Sequence, residues 1–297
     1  MCTALVIFDK SILFGRNMDI DQGFNEQVIF LPKDYKIKFK FEKEIKSDYS
    51  ILGIGTYIDG YPLLADAMNE EGVAFAGLAF KDNCKYYEYD NSKINYAPYE
   101  FILYILAKCK SIEEIRCFLN YINIVDEPFN KDILNAPLHF IFVDLKESIV
   151  VETTGEGMKI YDNPYNILTN NPPFDFHSFN VINYMQLHND VAENRINKNL
   201  NLKQYSYNQG AFGLPGDYSS SSRFIKCFYV KSHLILDGSK NDINEFFKCL
   251  DSVSMVKGSV KTERGFEYTY YTSCYDLKQK KLYYKIYNKP EIKCVSM

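Results

Sequence analysis

Tryptophan is absent from the 297 residues, and histidine is scarce: His139, His177, His188 and His233 are the whole set. Four histidines so dispersed argue against a metal cluster, and neither H-E-x-x-H nor C-x-x-C occurs. An excess of one charge is missing too. Lys and Arg number 34 against 38 Asp and Glu, a net −4 with a pI near 5.7. The basic residues are scattered, which excludes a nucleic-acid-binding stripe. Long apolar runs are lacking as well; Phe101 to Ala107 is among the longest, far short of the ~18 residues that span a bilayer. Met1 to Phe8 carries no basic segment and turns polar at Asp9, so neither a secretion signal nor a transit peptide is expected. The eight cysteines (Cys2, Cys84, Cys109, Cys117, Cys227, Cys249, Cys274, Cys294) are irregularly spaced. They are expected as reduced thiols in a cytoplasmic protein, mostly buried as small hydrophobes.

What is present reads as an ordinary globular chain, 46% hydrophobic and 24% charged. The 25 Tyr and 22 Phe suit half-buried pleated strands, or else a pocket for a large apolar ligand. No Pro/Gly/Ser-rich linker and no internal repeat divides the chain, so residues 1–297 are expected to form a single domain. Strands are predicted at Thr3–Phe8, Ile12–Arg16, Gln27–Leu31, Tyr49–Tyr57 and Gly72–Phe80. Others are predicted at Leu138–Asp144, Ser148–Glu152, Glu267–Tyr275 and Lys281–Tyr287. Pro98–Lys108 reads as a helix with Pro in its first turn. Ser111-Ile112-Glu113-Glu114 reads as a capping box before a helix with Ile112, Ile115, Leu119 and Ile122 on one face. Two more helices are expected at Arg223–Leu236 and Asn241–Leu250. This order favours two sheets with helices packed outside them over a parallel βαβ repeat.

Most motifs of chemical interest dissolve on inspection. Gly53-Ile54-Gly55 lacks the third glycine of a dinucleotide fingerprint, since position 58 is Ile, and reads as a strand-end turn. Ser219 to Ser222 is no nucleophile elbow and reads as a helix N-cap region. Gln186 to Gln209, rich in Asn and Lys, reads as a long surface loop of the kind that often contacts a partner.

Position 2 is different. Loss of Met1 would leave Cys2 with a thiol and a free α-amine, a nucleophile and a base on one residue. A hairpin starting at residue 2 brings Cys2 across from Arg16-Asn17-Met18-Asp19. Arg16 could then hold a thiolate by charge, and Asp19 could accept hydrogen bonds from the α-ammonium. A surface ion pair is the bland alternative for these two charges.

Met1-Cys2-Thr3 and Phe14-Gly15-Arg16-Asn17-Met18-Asp19-Ile20 resemble the start of the choloylglycine hydrolases, which comprise bile salt hydrolases and penicillin V acylases. The likeness continues through Ala65-Asp66-Ala67-Met68-Asn69-Glu70-Glu71-Gly72, Ile167-Leu168-Thr169-Asn170-Asn171-Pro172, Leu214-Pro215-Gly216-Asp217 and Ser222-Arg223-Phe224. The resemblance implies an α+β fold, the four-layer αββα sandwich of the N-terminal nucleophile hydrolases, and amide hydrolysis without metal or organic cofactor. It casts Cys2 as nucleophile, Arg16 and Asp19 as its holders, Asn170 as side-chain oxyanion donor and Arg223 as a second active-site arginine. The backbone N–H of Ala79 would be the other oxyanion donor. Here the chain departs from the family it resembles, whose bile salt branch usually carries Asn and whose acylase branch usually carries Tyr, and a side-chain contact to substrate would be lost.

The resemblance further implies a conjugated bile salt as substrate, its steroid covered by Met18, Phe24, Ile58, Ala65, Phe129 and Ile133. A penicillin V acylase or other amidase is the alternative, and a silent binding protein of the same fold a third reading. The stretch near 186–210 corresponds to an arm that reaches a neighbouring subunit, so a homotetramer is expected. Leu200, Leu202, Tyr205 and Tyr207 are many large apolar groups for a solvated loop.

Overall fold

The computed structural model describes residues 1–297. Its chain starts in the expected hairpin: β1 (Cys2–Phe8) turns through Asp9–Ser11 into β2 (Ile12–Ile20). Both strands are buried along nearly their whole length, which is why their sequence runs apolar without strict alternation. The next strands are β3 (Gln27–Leu31), β4 (Ile51–Ile58), β5 (Tyr61–Asn69) and β6 (Ala74–Ala79). Helices α1 (Pro98–Lys108) and α2 (Ile112–Leu119) follow, then β7 (Leu138–Val143), β8 (Ser148–Thr154), β9 (Gly157–Asp162) and the short β10 (Ile167–Leu168). The last third holds α3 (Phe174–Asn180), α4 (Ser220–Ser232) and α5 (Asn241–Asp251), then β11 (Phe266–Asp276), β12 (Lys281–Ile286) and β13 (Lys289–Ser296). No helix is long and apolar enough to cross a membrane.

Two seven-stranded sheets result. One runs β10-β1-β2-β11-β12-β13, with the short strand Val260–Lys261 added to β11; the other runs in chain order from β3 to β9. One core joins the facing sides of the two sheets to Phe224 and Ile225 of α4 and Phe246 and Leu250 of α5. The second core lies between the outer face of the β3–β9 sheet and helices α1 and α2. Burying each large apolar side chain there contributes about 1.5–3 kcal/mol. The layers are therefore helix, sheet, sheet, helix: the αββα sandwich.

Several expectations need correction. Gly53 and Gly55 do not end a strand; both lie inside β4. A Cβ on Gly53 would stand 2.4 Å from that of Ala67, and one on Gly55 would stand 2.2 Å from the Leu63 carbonyl oxygen, beside a bulge. Glycine is there because β5 approaches too closely for anything larger. Ile122 is not on α2, which stops at Leu119; it pairs in a short parallel ladder, Ile122–Ile124 with Ile94–Tyr96. Ser111 caps α2 by accepting the Glu114 N–H at 3.2 Å, but Glu114 takes the N–H of Lys110, so only half the box forms. Helix α4 begins three residues early, with Ser219 as its N-cap, and ends at Ser232. Strands β5, β9 and β13 and helix α3 escaped the reading. β13 is a largely exposed edge strand, Lys289 to Ser296, with charges and a proline where a pattern search wants alternation.

Candidate active site

The register of the first hairpin places Cys2 opposite Met18, Thr3 opposite Asn17 and Ala4 opposite Arg16. Alternation then puts Cys2, Arg16 and Met18 on the face toward the second sheet. There the Arg16 guanidinium donates to Cys2 Sγ through Nη2 and to the Gly77 and Ala65 carbonyls through Nη1, at 2.6 and 3.4 Å. Met18 Sδ lies 4.0 Å from the same sulfur. Arg16 is fully buried. Burial alone would favour its neutral form, but Cys2, Tyr271, Asp66 and Asp19 outweigh that and hold its pKa above the ordinary arginine range. A cation so fixed is of the kind that supports negative charge on a sulfur.

Asn170 arrives from the other side. β10 pairs with β1 through Ala4–Leu168 and Leu5–Ile167, and the same register carried two residues on sets Asn170 opposite Cys2. Its Oδ1 accepts the Cys2 N–H at 2.8 Å and Arg223 Nη2 at 2.7 Å. Its Nδ2 donates to the Ala79 carbonyl at 2.9 Å, which leaves one amide proton over. Arg223 stands in the first turn of α4, donates also to Thr3 Oγ1 at 2.6 Å and to the Cys2 carbonyl, and is anchored by the Tyr218 carbonyl at 3.0 Å. Burial lowers its pKa, against the pull of Asp19 and Cys2. Ala79 ends β6 and is exposed. Because Phe80 N–H bonds to Pro137 across the ladder, alternation turns the Ala79 N–H to the opposite edge of the strand.

Arg16 and Asp19 form no ion pair with each other, so the surface-pair reading fails; both are buried. The Met1 ammonium donates to the main-chain carbonyl of Asp19 at 2.7 Å and pairs with the Glu267 carboxylate. Burial lowers the pKa of that amine. The Asp19 carboxylate instead accepts Thr269 Oγ1–H at 2.5 Å through Oδ1, while its Oδ2 is buried without a partner. Burial raises the Asp19 pKa, with Arg223, Thr269 and the N-terminus opposing.

The six expected substrate contacts divide. Met18 and Ala65 adjoin Cys2 and Arg16. Phe129 and Ile133 line an apolar cavity of about 180 Å³ with Leu63, Leu64, Tyr99 and Leu138. Pro98, Tyr99 and Ile102 of α1 also line it, and Leu64, Ile102 and Leu138 belong to or pack against the core on the outer, helix-facing side of the β3–β9 sheet, whereas Arg16 lies between the sheets. Phe24 packs against the core between the sheets, and Ile58 sits at the tip of the β4–β5 hairpin opposite Tyr61; neither lines that cavity.

Sequence reading gave no role to Asp66, which accepts Tyr271 OH on Oδ1 and Tyr275 OH on Oδ2 (2.8 Å), tying the two sheets together. Burial raises its pKa, and Arg16 foremost opposes the rise. An acid between Ala65 and Ala67 in an otherwise apolar run from Leu63 to Met68 was the available signal. Glu267, His139, His177 and Ser220 were likewise missed, and no local pattern marks them. All eight cysteines are free.

The profile of the linear amide C–N hydrolases, choloylglycine hydrolase family, matches residues 2–297. A bile salt hydrolase/transferase of Lactiplantibacillus plantarum is 38% identical over 299 residues, covering 100% of this chain and 92% of its own. One from Clostridium perfringens is 40% identical over 305 residues with the same coverages. The crystal structure of a mutant conjugated bile acid hydrolase from Clostridium perfringens superposes with a TM-score of 0.93 at 38% identity, covering 100% of this chain and 92% of that one.

Proposed function

Because the chain belongs to the choloylglycine hydrolase family and is a linear amide C–N hydrolase, we propose that it hydrolyses the amide bond of glycine- or taurine-conjugated bile acids with Cys2 as nucleophile. One observation carries this reading: a single buried side chain pair, Arg16 and Asn170, holds both the sulfur and the nitrogen of Cys2.

Removal of Met1 frees the Cys2 α-amine beside Asn170 Oδ1. The sulfur attacks the amide carbonyl, and the carbonyl oxygen becomes an oxyanion. The remaining Asn170 Nδ2 proton and the Ala79 N–H receive that charge. Arg223, by loading Oδ1 with a cation, polarises the Asn170 amide and makes its protons better donors. The α-amine passes the proton taken from sulfur to the departing amine. Water, deprotonated by the same α-amine, then attacks the thioester, releasing the bile acid and restoring the thiol.

The apolar cavity lined by Leu63, Leu64, Phe129 and Ile133 suits a rigid hydrocarbon skeleton. At about 180 Å³ it lies below the ~300–1,000 Å³ of sites for ligands of that size. Binding of a steroid conjugate would therefore require the segment that carries Phe129 and Ile133 to move. The protein acts as a homotetramer, with the exposed stretch near 186–210 as the contacting arm. Assay of the Met1-free protein on glycocholate and taurocholate, with the released glycine or taurine measured, tests the reaction; absence of both products would overturn it.

A further inference from the structure

Two buried histidines outside the reacting set converge on the backbone that carries Asn170. His139, on β7, has its Nε2 2.9 Å from the Thr169 carbonyl oxygen and its Nδ1 3.0 Å from Glu152 Oε1. Its ring stacks on Phe80 at 4.4 Å and 7°. His177, on α3, donates from Nε2 to the carbonyl of Asn170 itself at 2.9 Å and stacks on Phe224 at 4.9 Å and 10°. Ser220, opening α4, accepts the Asn170 N–H on its Oγ at 2.8 Å and donates to Thr169 Oγ1 at 2.9 Å. The two carbonyls at Thr169 and Asn170 and the amide between them are thus each bonded to a different element.

We infer that His139 and His177 are positioning residues that splint the Thr169–Asn170 backbone, so that the free Asn170 Nδ2 proton points at the reacting carbonyl before substrate arrives. The need is geometric. Asn170 follows the end of β10, where ladder bonds no longer hold it, and an oxyanion donor must be in place without reorganising. A loop residue gains that rigidity only from side chains of rigid elements, and β7 and α3 supply them. Burial keeps His177 neutral, with its pKa pushed down to about 4. Its single ring proton is therefore committed to the Asn170 carbonyl while Nδ1 stays unpartnered. For His139, both ring nitrogens face oxygens, Nε2 the Thr169 carbonyl and Nδ1 Glu152 Oε1.

The inference rests on the amidase reading above, and its test separates the two. His177→Gln keeps an N–H near the Nε2 position, whereas His177→Leu removes it. His177→Leu is expected to lower kcat on the order of tenfold with KM within about twofold, as a small misplacement of a reacting group does. Alkylation of Cys2 by iodoacetamide should proceed at the wild-type rate, and His177→Gln should recover most of kcat. Unchanged kcat in His177→Leu overturns the splint. So does a parallel fall in alkylation, or a folded His177→Gln as impaired as His177→Leu. A second readout needs no turnover: in ¹⁵N-histidine-labelled Cys2→Ala protein, two ring N–H signals protected from exchange are expected, one of them lost in His177→Gln. Absence of both overturns the splint whatever the wild-type protein cleaves. Their presence in a protein that cleaves no amide counts against the amidase reading alone.

Discussion

Asn170 stands directly across from Cys2 and accepts its N–H on Oδ1 at 2.8 Å, 168 residues away in the chain. In the proposed mechanism, one planar amide would thus touch the nitrogen that moves the proton and, through Nδ2, face the place where negative charge develops, a single side chain holding base and oxyanion donor in fixed relation. Arg223 reinforces this by binding the same Oδ1 and, through Thr3 and the Cys2 carbonyl, the residue on the other side.

The first consequence concerns Met1. Its ammonium is tied to the Asp19 carbonyl and Glu267, while the Cys2 nitrogen is an amide with no basicity. Protein that retains Met1, or carries any permanent N-terminal extension, is expected to be inactive, and intact mass of active protein should show the loss of one Met. Full activity in a permanently fused protein would eliminate the α-amine as base.

Removing the reacting groups should have graded effects. Cys2→Ala is expected to abolish turnover, by several orders of magnitude in kcat, of the ~10⁶ scale seen for nucleophile deletion. Asn170→Ala should cost on the order of 10²–10³ in kcat. It also strips Arg223 of a partner, so the loss should lie at the upper end. Steady-state kinetics on one conjugated bile salt decide; wild-type kcat in Asn170→Ala would remove it from the oxyanion role.

How far the site could be read from sequence depended on distance along the chain. Cys2, Arg16, Met18 and Asp19 share one hairpin, and strand alternation alone relates them once the turn at Asp9–Ser11 is recognised. Asn170 and Arg223 come from 168 and 221 residues away, beyond any local period; motif likeness alone located them. Asp66, Glu267, His139 and His177 act through tertiary contacts from strands and a short helix whose patterns spell only burial. Asp19 lies buried on that hairpin, and its main-chain carbonyl meets the Met1 ammonium because antiparallel pairing continues back to Met1; its contact with a freed Cys2 α-amine is part of the proposal. Among the expected substrate contacts, Phe129 and Ile133 share one cavity, whereas Phe24 lies in a loop and Ile58 at a hairpin tip whose packing the sequence does not encode locally.

Substrate preference should follow the cavity along β5. Conjugated bile salts are expected to be cleaved much faster than penicillin V, since Leu63, Leu64, Phe129, Ile133 and Leu138 present an extended apolar wall. Ile133→Asp should raise KM for taurocholate about tenfold or more, the scale of ~1–3 kcal/mol for losing one buried apolar contact, while kcat changes little. Faster turnover of penicillin V would support the acylase alternative.

Acid should weaken the fold through His177. Its folded pKa is about 4, lowered chiefly by burial, against ~6.5 for the unfolded chain. The unfolded state therefore binds the proton first as pH falls. The contribution of the neutral ring is whole above ~6.5, is lost progressively down to about 4, and amounts to on the order of 3 kcal/mol. Urea unfolding at pH 7 and pH 4.5 should show a smaller loss for His177→Gln than for wild type. Comparing the two proteins cancels the opposite effect of Asp19 and Asp66, whose pKa values are raised in the fold. Equal losses would mean that His177 is not held neutral.

The stretch from Gln186 to Gln209 has no regular strand or α-helix, yet it presents Val191, Ile196, Leu200, Leu202, Tyr205 and Tyr207 to solvent, the last at 91% exposure. Beside it, Phe179, Ile182, Met185 and Phe212 are also more than half exposed. So many large apolar groups over one region exceed what a monomer's surface ordinarily shows. A groove of about 280 Å³ lined by Val181, Tyr184, Leu187, Ile225 and Phe228 opens between the start of this region and α4. With closed symmetry each subunit would give an arm and receive one, burying all of these groups reciprocally. Light scattering at micromolar concentration should give four times the chain mass of 34.6 kDa. Shortening the loop between residues 190 and 208, or Tyr205→Asp with Tyr207→Asp, should shift the protein to smaller species. A wild-type mass near 34.6 kDa would refute the arm.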